Sequence, residues 1–81
     1  MLKHFIVEVD SNGNMDLSAF DTLEQASMHI NDCAIAWFND MLEDYEEADL
    51  DIHVTPSYGR VSIEAPGKEY DRVWEYRSLE I

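Results

Sequence analysis

Lysine and arginine are scarce in this chain, five against eighteen aspartates and glutamates, and neither occurs between His4 and Arg60. A surface so short of cations cannot neutralise a row of phosphates, so no direct contact with nucleic acid or an anionic bilayer is expected. The net charge of -13 points instead to a basic partner. Cysteine is nearly absent as well. Cys33 is the single thiol, which excludes an intramolecular disulfide, and its place in the apolar run CAIAWF reads as a small buried side chain in a reducing compartment. Residues 33–38 are far too few to cross a bilayer, and MLKHFIVEVD lacks an apolar stretch of signal-peptide length. The expectation is a soluble, cytoplasmic protein. Eighty-one residues support one core, so residues 1–81 form one domain, and 46% apolar content suffices to fold it.

Catalytic signatures are missing too. There is no phosphate-binding glycine loop, no nucleophile elbow and no Cys–His pairing at a recognisable spacing, so the chain reads as a non-enzyme. No paired-histidine spacing exists, and neither metal nor cofactor is expected, although His4, Glu8, Asp51, His53 and Glu64 could share the outer face of a sheet. The stretch DSNGNMDLSAFD places oxygen ligands at calcium-loop spacing, but Met15 stands where glycine is required and Asp21 where a bidentate glutamate belongs, so a hairpin is its better use. His29, near Asp32 and Cys33, reads as a solvated residue.

What is present organises into six elements. Residues 2–10 alternate, with Phe5, Val7 and Val9 on one face, and predict a strand. A three-residue loop Ser11–Gly13, with Gly13 left-handed, sets Val9 opposite Met15 and Val7 opposite Leu17; a two-residue loop would face Val9 with Asp16. A second strand covers 14–20. Thr22 and Gln25 form a capping-box pattern, which Asp21 and Glu24 repeat one residue earlier, so a helix begins near Leu23. No glycine or proline interrupts it to about Ala48, and Ile30, Ala34, Trp37, Met41, Tyr45 and Ala48 recur at helical spacing. Met28, Ile35, Phe38 and Leu42 form a second apolar flank, more than one sheet face needs: either the helix is covered on two sides within the domain or this flank contacts another chain, a homodimer being the cheaper explanation. Leu50, Ile52 and Val54, then Val61, Ile63 and Ala65, predict two strands around TPSYG, and Ala65–Lys68 has type II turn chemistry. A last strand, KEYDRVWEYRSLEI, carries Tyr70, Arg72, Trp74 and Tyr76 on one face and Val73 on the other, which leaves its inward face open. The expected fold is α+β in the order β-β-α-β-β-β, a mostly antiparallel sheet with one long helix on one face.

Charge is distributed unevenly over these elements. Asp40, Glu43, Asp44, Glu46, Glu47, Asp49 and Asp51 fall within twelve residues, on the expected last turns of the helix and the loop beyond. Carboxylates at a helix C-terminus oppose the macrodipole by about 0.3–1 kcal/mol each. The pairs Asp40/Asp44 and Glu43/Glu47 would add about 0.2–0.5 kcal/mol of repulsion apiece. Folding alone would not choose this arrangement. It serves either as a solubilising face or as an electronegative surface for the phosphate-binding groove of a basic protein, with Trp37 or Phe38 and Tyr45 as nearby apolar anchors.

With the helix entry FDTLEQA, the acidic stretch DMLEDYEEADLD and the closing strand VWEYR, the chain resembles small acidic phage-encoded inhibitors of bacterial defence, the anti-CRISPR and DNA-mimic anti-restriction proteins. In charge it is also similar to acidic inhibitors of toxic nucleases. The resemblance implies stoichiometric inhibition of a nucleic-acid-binding machine, and the charge distribution makes the seven clustered acids the expected contact with a basic partner. The alternative is an acidic structural or assembly protein acting through homo-oligomerisation by Met28, Ile35, Phe38 and Leu42.

Overall fold

The computed structural model describes residues 1–80. Its elements are β1 (Leu2–Asp10), β2 (Met15–Phe20), α1 (Leu23–Met41), a 3-10 turn (Glu47–Asp49), β3 (Leu50–Thr55), β4 (Tyr58–Ile63) and β5 (Tyr70–Glu80). All five strands form one antiparallel sheet in the order β2-β1-β5-β4-β3, with α1 across one face. The fold is therefore α+β in the expected element order.

Local chemistry explains most element boundaries. Gly13 takes φ +87°, the Gly13 amide donates to the Asp10 carbonyl at 3.1 Å, and Val9 faces Met15 and Val7 faces Leu17 as the loop chemistry requires. At the start of α1 the Gln25 amide donates to Thr22 Oγ1 at 3.1 Å. The Gln25 side chain reaches past the cap to accept from the Asp21 amide at 3.2 Å. Gly67 has φ +77°, and the Lys68 amide closes on the Ala65 carbonyl at 3.0 Å, as a type II turn demands.

The helix ends at Met41, seven residues before the expected end near Ala48. Leu42 still donates to Phe38, but the next amides turn inward onto Asp40 and Met41, and the chain unwinds through residues 42–45. Two causes act together. Nineteen residues make a rod of about 28 Å, already longer than the roughly 19 Å between the outermost strands of a five-stranded sheet, so further turns would have nothing to cover. Carboxylates at this end meet the negative pole of the helix, and no basic residue lies in the last turn to offset them.

The core sits between α1 and the sheet. Ala26, Ile30 and Ala34, one residue per turn, pack on Ile6, Val61 and Trp74. This makes Tyr70, Arg72, Trp74 and Tyr76 the helix-facing side of β5 and settles its ambiguous orientation. Phe5, Val7 and Val9 point the other way, because it is Ile6 that is buried beneath the helix. Close approach depends on Gly59, which lies opposite Trp74 in the register. A Cβ there would stand 2.7 Å from Ile30 Cγ2. Gly59→Ala must displace the Ile30 side chain from its seat on β4 or shift the helix that carries it, at a cost of about 1–3 kcal/mol. Thermal unfolding should record a drop of roughly 4–8 °C for each kcal/mol lost, and an unchanged midpoint would mean that the helix is not seated on β4 as described.

Candidate interaction surfaces

Seven carboxylates form an exposed ledge at one edge of the sheet. Asp40 sits on the last turn of α1, Glu43 and Asp44 on the turn after it, Glu46 just before the 3-10 turn, Glu47 and Asp49 within it, and Asp51 on β3. All are exposed except the half-buried Asp49. The main chain is held in place: the Asp49 amide donates to the Glu46 carbonyl at 2.9 Å, and the Asp49 carbonyl accepts from Glu64 at 2.8 Å. Because the helix stops at Met41, the acids do not form one continuous helical row, and Glu43 and Glu47 lie on separate segments. The acids fan out instead along a turn, a short 3-10 segment and a strand.

Among the described residues no ion pair involves any of these seven. The cations are engaged elsewhere: Lys3 with Asp21, Arg60 with Asp71, Arg72 with Glu8 and Asp10, and Arg77 with Glu75. Lys68 lies over the ring of Tyr45, 5.9 Å from its centroid, and so stands beside the acidic segment. Of the proposed aromatic anchors, Trp37, Phe38 and Tyr45 are all half-buried. Trp37 is stacked on Tyr70 at 5.4 Å and carries the Arg72 guanidinium 4.4 Å above its ring.

The second apolar flank of α1 is divided. Met28, Ile35 and Leu42 are 64%, 45% and 40% exposed, whereas Phe38 is half-buried against the core and belongs to the packing of the domain. Met28 lines a shallow open depression of about 390 Å³ between α1 and the β3–β4 turn, where Ser27 Oγ donates to the Pro56 carbonyl at 2.7 Å.

A third surface is the sheet face opposite the helix. Phe5, Val7 and Val9 on β1 lie beside Ala19, Leu17 and Met15 on β2, and Val9 faces Val73 on β5. Met15 is 74%, Leu17 61% and Val9 39% exposed. The alternation of β1 was readable, but both of its faces carry apolar residues, so the pattern alone could not say which one the helix would take.

Titratable groups beneath the helix form a structural network. The Trp74 indole N–H donates to Glu8 Oε1, Glu8 Oε2 lies 3.5 Å from Arg72, and Arg72 lies 3.6 Å from Asp10. Burial opposes the ionised form of Asp10, but hydrogen bonds from the Asn14 side chain and amide, Tyr70 and the Asn12 amide outweigh it and hold its carboxyl at about 2. Burial raises the Tyr70 phenol, as does its hydrogen bond to Asp10. His4 and Glu8 lie on this helix-facing side, while Asp51 and His53 lie on the opposite one, so the outer-face ligand set imagined from sequence does not assemble. Asp10, first in the calcium-like stretch, serves as the hairpin's turn cap.

His29 and Cys33 were missed as a pair. One helical turn apart, they bring Sγ within 3.5 Å of Nε2. His29 is half-buried, its ring 4.9 Å from that of Phe20, and is not the solvated residue expected. Burial pushes the half-buried Cys33 thiol up from its ordinary 9.0, and the charges of Glu8 and Asp32 push it further, with Arg72 only partly opposing them. The pair therefore lacks the electropositive setting that activates a nucleophilic thiolate.

Both environments can be tested. Asp10 has a depressed pKa, so its stabilising effect is present above the ordinary value of 3.8 and is lost as pH falls through about 2. In urea unfolding across pH, Asp10→Asn should be less stable than the parent chain at neutral pH, with the gap closing between about pH 4 and 2; a constant gap would contradict the network. Alkylation of Cys33 at pH 7 should be slower in the folded chain than in urea, and equal rates would contradict its shielding.

No family model, curated protein or solved structure matches this chain, so its function is read from these surfaces.

Proposed function

We propose that this chain is a non-enzymatic acidic inhibitor that occupies the phosphate-binding surface of a basic nucleic-acid-handling protein, a defence effector or nuclease, in the manner of a DNA mimic. The observation that carries this reading is the ledge from Asp40 to Asp51: six of its seven carboxylates are exposed, and none is engaged by the chain's own cations. Free carboxylates can accept charge-assisted, bidentate hydrogen bonds from arginines that otherwise hold phosphates. The net charge of -13 would steer a basic partner toward the chain and make the encounter strongly salt-dependent. Anchoring by Asp49 and its neighbours keeps the ledge ordered before binding, which reduces the entropy lost on association.

The test begins with capture of partners from host lysate at low and high salt and continues with the purified partner. Replacing Glu43, Glu46 and Glu47 together with glutamine should weaken binding at least about tenfold, or about 1.4 kcal/mol. The melting temperature should move by only about 2 °C, because all three side chains are exposed. Affinity that survives both the triple replacement and added salt would remove the electrostatic mimic.

A further inference from the structure

We propose that the open face of the sheet is a self-association surface, and that its occupant is the same face of a second copy of this chain. The domain is thin for its length: its extents are 45 × 22 × 15 Å and its radius of gyration is 13.6 Å, against about 12 Å for a compact chain of 81 residues. One helix covers one side of the sheet. On the other side, Phe5, Val7, Val9, Met15, Leu17 and Val73 form a continuous apolar patch over three neighbouring strands, and no element among the described residues lies over it. Apolar surface spread over adjacent strands is what sheet-on-sheet packing buries.

Charge identifies the occupant. The strand positions of this face hold three of the five cations, Lys3, Arg60 and Arg77, and only three acids, Asp51, Asp71 and Glu75. Arg60 pairs with Asp71 at 3.1 Å and Arg77 with Glu75 at 2.6 Å, so four of these six charges are already matched within the face. A formally neutral face on a chain of net charge -13 offers little to a basic partner. It is the surface on which two copies can meet while keeping most of their carboxylates apart, Asp51 being the one ledge carboxylate that lies on it. The flank of α1 is a poorer choice, since Met28, Ile35 and Leu42 make a single line interrupted by Asn31, Asp32 and Asn39.

Area is sufficient. Five strands about 4.8 Å apart and about six residues long present a face of roughly 24 by 20 Å. Two copies together would then bury on the order of 1,000 Å², the lower bound for a specific interface. The arrangement is isologous, with the two sheets stacked about 10 Å apart and the helices on the outside.

Sedimentation equilibrium on the full chain tests this over about 1–300 µM, a range that reports a micromolar dissociation constant. The expected result is a species of twice 9.4 kDa that tightens as salt is added, because screening relieves the repulsion between two anions. Leu17→Glu and, independently, Met15→Glu should each raise the dissociation constant at least about 100-fold while leaving the circular dichroism spectrum unchanged; both side chains are more than half exposed. Met28→Glu should leave the dimer intact. A 9.4 kDa species at every concentration, a dimer indifferent to both sheet-face variants, or one dissolved by salt or by Met28→Glu would overturn the proposal. Salt should loosen the contact with a basic partner and tighten this one, so either surface can fail without the other.

Discussion

Ile30 rests on the bare backbone of Gly59 beside the indole of Trp74, and the architecture depends on that close approach. Ala26 and Ala34, one turn to either side, are small enough for the helix axis to stay near the sheet along its middle. The contact determines which side of β5 is inward, and with it the fate of Tyr70, Arg72 and Tyr76. It also commits the one long helix among the described residues to one face. A sheet of five strands has two faces, and among the described residues no further element covers the second.

Polar groups under the helix are arranged to tolerate partial burial. Glu8 accepts from Trp74 and faces Arg72, Arg72 lies over Trp37 and near Asp10, and Asp10 closes the β1–β2 turn through Asn12 and Asn14. These contacts offset the burial of the charges, although Arg72 Nε is buried without a hydrogen-bond partner among the described residues. Because Arg72 is used there and Lys3, Arg60 and Arg77 pair on or beside the opposite face, the ledge is left with no ion-paired cation. The exposed negative charge of Asp40–Asp51 and the neutrality of the open sheet face are thus two results of one allocation of five cations.

Much of the fold was legible because its determinants are local. Asn12-Gly13 and the alternation around it imply the β1–β2 register, Thr22 and Gln25 mark the helix start, and Pro66-Gly67 marks the last turn. The helix end was not legible, since no glycine or proline stands between Leu23 and Ala48. It is set by the width of the sheet and by unfavourable charge at the helix terminus. The acidic residues could be picked out as a group, but their display as a fan could not. His29 and Cys33 had the spacing of helical neighbours, yet the packing of His29 on Phe20 depended on where β2 would lie.

By itself, then, the sequence determined the element order, the hairpin register, the helix start and the sign of the surface, all of which follow from backbone preferences and charge counting over a few residues. Only the tertiary structure decided that Phe5, Val7 and Val9 stay outside while Ile6 goes in, that Phe38 joins the core while Met28 does not, and that the carboxylates leave the helix at Met41. Those outcomes turn on which surfaces compete for one helix, a competition between residues far apart in the chain that no local pattern can resolve.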